Sequence, residues 1–518
     1  MTVAGRTALD EPPAWVADAV FYQVFPDRFA RSGRIPAPGP LEDWDAPPTV
    51  HGFKGGDLYG VVDHLDHLVD LGITAIYLNP VFSSASTHRY HTFDYLAVDP
   101  LLGGDEALRA VLDAAHARGI RVILDAVFNH ASRGFWPFHH VMEAGKHSPY
   151  RDWFYLNPDD LEAGRPLRAY AGESLGDALS SEWGDHHGEG VESLTTLGYR
   201  AWWDLPALPK LNTDNPVVRE YLMGVAEHWT RFGIDGWRLD VPHEITSPGF
   251  WEEFRRRVRA INPDAYIVGE IWQERGDLLD GRTYDGLMNY PLAAAIVSFV
   301  PGSHLDPRVV AQHAEIERQT APADGAVFLA RLERVIAGYA PAFARSMLGL
   351  LDSHDTPRFL SWTGGDRSSL RLAWLVLLTM PGAPCIYYGD EIGLTGEMDP
   401  GCRGAFPWDE SRWDRELLET LRILVRLRHE TPSLRDVAFT PLAAEGLAAA
   451  YRRGDGAGST LVAINAGEEA TSLVVDVPDE QLEPVAIPHL DGGRATRTDD
   501  GRVRLDLPPR SGTLVRVG

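Results

Sequence analysis

The feature that most constrains this chain is an alternation of short apolar runs with helical stretches. It recurs from residue 19 to residue 391. The runs fall at 19–25 (AVFYQVF), 73–80 (ITAIYLNP), 120–130 (IRVILDAVFNH), 234–240, 265–270 (AYIVGE), 284–290, 346–355 and 382–391. Helical patterns at 58–71, 104–118, 215–232 and 248–260 lie between them, and Gly72 and Gly119 stand where helices stop. Strands spaced by helices pair in parallel, because a parallel pair needs a long crossover. Eight candidate strands, with polar residues gathered at their C-terminal ends, predict a (β/α)8 barrel with its chemistry on that face.

Two stretches break the rhythm. Residues 131–210 are loop-rich, aromatic and dense in Gly, Asp and His, and read as an inserted domain after the third strand. From about 433 to 518 the texture becomes short alternating runs separated by Gly/Asp turns, which predicts a C-terminal antiparallel β-sandwich. The expected layout is therefore a barrel from 1–130 and 211–432, an insert at 131–210 and a sandwich at 433–518.

The sharpest local signal is GWRLDVPHE, residues 236–244. Arg238 and Asp240 are two apart on a strand and share a face. Alone, such a pair reads as a structural salt bridge. Three further strand ends change that reading: Asp125, Asn129 and His130 in DAVFNH, Glu270 in GEIW, and His354 and Asp355 in SHD. On a barrel these ends converge. Carboxyls in unequal surroundings can cleave an acetal: one ionised carboxylate attacks, one protonated carboxyl donates to the leaving oxygen.

These four motifs resemble, in order and spacing, the signature regions of the α-amylase superfamily of retaining α-glucan enzymes. The resemblance runs from about residue 15 to 518. It implies Asp240 as nucleophile, Glu270 as general acid/base and Asp355 as transition-state stabiliser. It further implies that Arg238 orients Asp240, that His130 and His354 bond the sugar in subsite −1, and that Tyr90 stacks on that sugar. Asp125 would tie strands together at the pocket floor. A finer resemblance, to the neopullulanase, cyclomaltodextrinase and maltogenic amylase subfamily, rests on LPKLN (208–212), FKGGDL (53–58), YLNPVF (77–82), MNYP (288–291) and IYYGDEIG (386–393). It implies Asp399 and Arg403 at subsite −2, with His243 and Glu244 beside subsites +1/+2, where relatives have Asn-Glu. Trp272 is expected to touch substrate.

Two departures accompany that resemblance. Relatives usually carry an extra N-terminal β-domain that helps build a dimer, whereas here the barrel begins almost at once, so a homodimer is left open. Relatives also bind calcium with acidic and Asn residues after the RFA motif. Here Arg28-Phe29-Ala30-Arg31-Ser32-Gly33-Arg34 is basic, and only Gly56 and Asp57 remain. Calcium needs several oxygen ligands, so no tight calcium, no other metal and no cofactor are expected.

The implied activity is hydrolysis of α-1,4 bonds in cyclic or short malto-oligosaccharides, with α-1,6 cleavage left open. The alternatives are a hydrolase of mixed-linkage cyclic maltosyl-maltose, a transglycosylase or α-glucosidase of the same family, and a non-catalytic glucan-binding relative. A net charge of −26 argues against nucleic acid and anionic membrane surfaces as partners. The N-terminus lacks an apolar signal core, and two cysteines in 518 residues fit a reducing compartment, so the expected location is cytoplasmic. Trp136, Trp153, Trp183, Trp202, Trp203 and Trp272 lie in polar segments and together suit stacking on sugar faces. Gly172-Glu173-Ser174-Leu175-Gly176 matches a nucleophile elbow but lacks the strand–turn–helix context. The pairs His139-His140, His186-His187 and His243-Glu244 complete no metal motif.

Overall fold

A computed structural model describes residues 10–170, 191–477, 481–490 and 492–518. Gly172–Gly176, Trp183 and His186-His187 fall outside them.

Eight parallel strands form one sheet: β1 Phe21–Val24, β2 Ala75–Leu78, β3 Arg121–Ala126, β4 Gly236–Leu239, β5 Tyr266–Gly269, β6 Gly286–Leu287, β7 Leu348–Gly349 and β8 Ala383–Tyr387. Their order around the sheet is β6-β5-β4-β3-β2-β1-β8-β7. A parallel bridge from Met288 to Leu348 joins the two edges, so the sheet closes into a barrel. Each strand is shorter than its apolar run. The run at 120–130 pairs only over Arg121–Ala126, and Asn129 and His130 lie beyond it in the strand-to-insert turn.

Side chains that point inward occupy alternate positions. At the floor they are apolar: Phe21, Ala75, Ile123, Tyr266, Leu348 and Ala383 belong to one buried cluster. One step further along they turn polar. Register pairs Gln23 with Tyr77, and Asp125 with Arg238. Asp240 and Glu270 follow directly after β4 and β5. Ordinary strand alternation thus lifts charged groups onto the C-terminal rim.

The surrounding helices carry the expected caps. Asn215 accepts from Val217 N at the start of Pro216–Phe232, and Gly233 ends it with φ 109°. The helix expected at 58–71 is broken instead. Leu58–Asp63 and Leu65–Leu71 meet at His64, whose φ of −115° is non-helical. The His64 ring lies stacked on Trp408 at 3.5 Å.

Between β3 and the helix Pro216–Phe232 the insert returns to the barrel through bridges His130 to Lys210 and Phe154 to Leu211. At the C-terminus a five-stranded and a three-stranded antiparallel sheet pack face to face. Ala450, Leu461, Ala463 and Val515 of one meet Leu473, Val475, Val503 and Leu505 of the other. No helix among the described residues is long and apolar enough to cross a membrane. Cys385 and Cys402 are both buried and unbridged.

Candidate active site

Arg238 is the hub of the rim. It is fully buried, and one guanidinium reaches three carboxylates. Nη1 lies 2.9 Å from Asp125 Oδ1 and donates to Asp240 Oδ1 at 3.0 Å, while Nη2 lies 3.0 Å from Glu270 Oε2. A planar fork with five donors suits this bridging, where lysine's single ammonium does not. Asp125 also accepts from Tyr77 at 2.5 Å and Tyr90 at 2.8 Å, so it holds Tyr90 as well as Arg238.

The backbone turns sharply just after Asp240. Val241 has φ 35° and ψ 52°, a left-handed conformation that a β-branched residue rarely adopts. Such a residue costs on the order of 1–3 kcal/mol. The turn aims the Val241 N–H at Glu270 Oε2, 3.0 Å away. The other oxygen, Oε1, accepts from Trp272 Nε1 at 3.1 Å.

On the far wall Asp355 Oδ2 lies 3.1 Å from His354 Nε2, and Asp355 Oδ1 lies 3.6 Å from Arg403. His354 Nδ1 faces the donor Gln23 Nε2 at 2.9 Å, which puts the ring proton on Nε2. Burial pushes the His354 pKa well down, with Arg403 and Arg238 adding to it, so the ring is neutral. The Tyr90 ring stacks on His354 at 5.3 Å and 1°. Arg403 binds Asp399 at 2.9 Å and donates to His354 O at 2.9 Å.

His130 closes the insert side. It is fully buried, stacked on Trp202 at 4.8 Å, and burial lowers its pKa to about 3. Its Nε2 has no hydrogen-bond partner, and neither has Asp240 Oδ2. Buried polar atoms left bare at one site are what an arriving polyhydroxylated ligand would satisfy.

The expected residues therefore separate into two sets. Asp240, Glu270, Arg238, Asp355, His354, Tyr90, Arg403 and Asp399 form one connected polar network, with His130 beside it. Glu244 sits at the rim, its carboxylate 2.9 Å from Lys210 Nζ of the insert. His243 is exposed there. Trp272 contacts Glu270 rather than standing free as a sugar platform. The motifs gave no role to Gln23, Tyr77 or Lys210. The signal for Gln23 and Tyr77 was their inward register on β1 and β2.

Too many carboxyls share too few cations for all to ionise. Burial raises Asp125 and, far more, Asp240, with Arg238 opposing in both cases. Burial and then Glu270 push Asp355 up to about 7. The cluster thus retains a proton near neutrality, as a unit rather than on one residue. A stability consequence follows from Asp355. Its folded pKa exceeds its unfolded value, so the folded protein binds more protons between about pH 4 and 7 and loses stability as pH rises through that window. Asp355→Asn removes this effect. Its melting temperature should exceed that of the wild type by a few degrees at pH 8, with the gap closing by pH 4.5. Equal melting at both pH values would contradict the raised pKa.

Comparison with known proteins gives a consistent picture. A family model described as alpha amylase, catalytic domain, matches residues 23–422. A cyclomaltodextrinase from a Bacillus species is 42% identical over 459 residues, 88% of this chain and 74% of that one. The debranching enzyme of Nostoc punctiforme superposes with a TM-score of 0.84 at 43% identity, covering 99% of this chain and 100% of that one. The cyclic α-maltosyl-(1→6)-maltose hydrolase of Arthrobacter globiformis gives 0.81 at 36% identity, over 98% and 100%.

Proposed function

The chain belongs to the alpha-amylase family of glycoside hydrolases, and from that premise we propose that it opens cyclic and short α-glucans by a retaining mechanism, with Asp240 as nucleophile and Glu270 as acid/base. The observation that carries the assignment is the shared guanidinium. Asp240 Oδ1 and Glu270 Oε2 each lie 3.0 Å from the two ends of Arg238. One guanidinium therefore anchors both working carboxyls on the same rim, and the family likeness supports the retaining outcome.

The steps follow from the atoms. Asp240 Oδ2, bare and buried, attacks the anomeric carbon as the bond to the leaving oxygen breaks and that oxygen takes the Glu270 proton. The product is a β-glucosyl ester on Asp240. Water then attacks the same carbon, Glu270 takes its proton, and the ester bond to Asp240 breaks, so the α configuration returns. Asp355, against neutral His354 and Arg403, is placed to bond substrate hydroxyls and favour the cationic transition state.

What supports a small or cyclic substrate is the likeness to the cyclomaltodextrinase and to the solved cyclic maltosyl-maltose hydrolase, beside the solved debranching enzyme. The last two also favour a second reading, cleavage at α-1,6 as well as α-1,4 bonds. The test is a product profile on a cyclomaltodextrin, a mixed-linkage cyclic tetrasaccharide, pullulan and soluble starch. Fast opening of either ring with slow starch attack is expected. Starch preferred over both rings would overturn the substrate reading.

The residues after the first strand do not fit calcium. Lys54 Nζ takes the Ala46 carbonyl at 2.8 Å and the Asp43 carbonyl, beside Glu42 at 3.4 Å. Arg31 takes the Lys54 and Glu42 carbonyls at 2.5 and 2.9 Å. The Asp57 carboxylate accepts from Ser32 and Gly60. Two side-chain cations occupy the oxygens a metal would need. Among the described residues no group of three or more His, Cys, Asp or Glu could hold a metal. Activity and melting temperature should be unchanged by excess chelator or by added calcium. A chelator-induced drop in melting of several degrees would refute this.

A further inference from the structure

The segment between the helix Tyr290–Phe299 and the helix Gly325–Ala337 has no role in the chemistry above, yet it reaches the candidate acid/base through one ring. Trp272 is sandwiched. Tyr290 stacks on one side at 3.8 Å and 7°, and His313 on another at 4.7 Å and 9°. The indole N–H is the one that holds Glu270 Oε1. We propose that His313 is a positioning residue: it clamps Trp272 so that the indole fixes the rotamer of Glu270 during proton transfer. This rests on the reading of Glu270 given above.

The clamp is itself anchored. His313 caps the helix Ala314–Gln319 through Nδ1, which accepts from Ile316 N, so the ring proton is on Nε2 and the imidazole is neutral. Burial, lowering its pKa to about 4, agrees. A neutral flat ring stacks on indole without bringing a charge next to Glu270. Gln319 Nε2 lies 3.3 Å from Trp272 O and fixes the backbone behind the ring. On the other side Gln312 donates to Glu397 at 2.6 Å and accepts from Met398 N at 3.2 Å, so the same segment grips the loop that carries Asp399 and Arg403. The groups facing His313 are Glu315, Arg318 and Glu270. Trp272 and Tyr290 also line a largely apolar cavity together with Ile316, Leu351 and Trp362, with Gln319, Thr320 and Thr356 at its polar edge.

The experiment compares His313→Ala, His313→Phe and Glu270→Gln on one cyclomaltodextrin, with full pH–rate profiles and thermal melts. For His313→Ala, kcat should fall about tenfold with KM within about twofold, because small misplacements of a proton donor act on the chemical step. The alkaline limb of its profile should move. His313→Phe keeps the flat face and should recover most of the lost kcat and the limb. Wild-type kcat and limb in His313→Ala, a changed KM with unchanged kcat, or a His313→Phe as slow as His313→Ala would each overturn the proposal. Glu270→Gln separates the two levels. It should be nearly inactive, and if it turns over normally the acid/base reading fails and the clamp with it.

Discussion

Replacing Asp240 by Asn should reduce turnover at least about 10⁴-fold, the scale seen when a nucleophile is removed from a catalytic unit. The melting temperature should stay the same or rise. The two outcomes have one cause. Asn has the shape of Asp, and its Oδ1 can still accept from Arg238 Nη1, as Asp240 does at 3.0 Å. The amide cannot form a glycosyl ester, so chemistry stops. The fold loses only a negative charge from a cluster where burial and neighbouring acids already disfavour it. Turnover measured beside a melt therefore separates catalysis from folding. Near-normal turnover, or a collapse in melting, would each count against the assignment.

Arg238→Met should be damaging in both respects. Removing one partner of a buried ion network costs about 3–5 kcal/mol, because the others remain buried without compensation. Here three acids, Asp125, Asp240 and Glu270, lose their cation at once. Without it the folded pKa values of Asp125 and Asp240, which Arg238 holds down, rise further above the unfolded ones, and the folded variant takes up protons. Its deficit in melting temperature against the wild type should be greatest near pH 8 and shrink toward pH 5. Turnover should fall by at least about 10³-fold, since the two working carboxyls lose their common anchor. A deficit that does not change with pH would mean that Arg238 acts by packing alone.

Much of this site could be read from the sequence, because period-two alternation, helix stops and the polar strand ends all follow from local chemistry. Arg238, Asp240, Glu270 and Asp355 lie at strand ends where a closed barrel must bring them together. What escaped is long-range. Gln23 fixes the tautomer of His354 across 331 positions; its inward register on β1 was legible, but its partner was not. His313 meets Trp272 only because a helical excursion after β6 folds back over the rim. The split at His64, whose ring stacks on the distant Trp408, also escaped. Trp272 was read as a sugar contact from its aromatic character, while its bond to Glu270 depends on a side-chain angle that spacing does not set. The left-handed Val241 had no signal, as strain at a β-branched residue is held by the surrounding fold and not by its neighbours in sequence.

The most direct measurement is to trap the covalent intermediate. The wild-type enzyme would be incubated with an activated fluorinated α-glucosyl donor, digested, and the labelled peptide sequenced by mass spectrometry. One glucosyl adduct is expected, in the peptide spanning GWRLDVPHE and on Asp240. An adduct on Glu270 or Asp355, or turnover with inversion of the anomeric centre and no adduct, would contradict it.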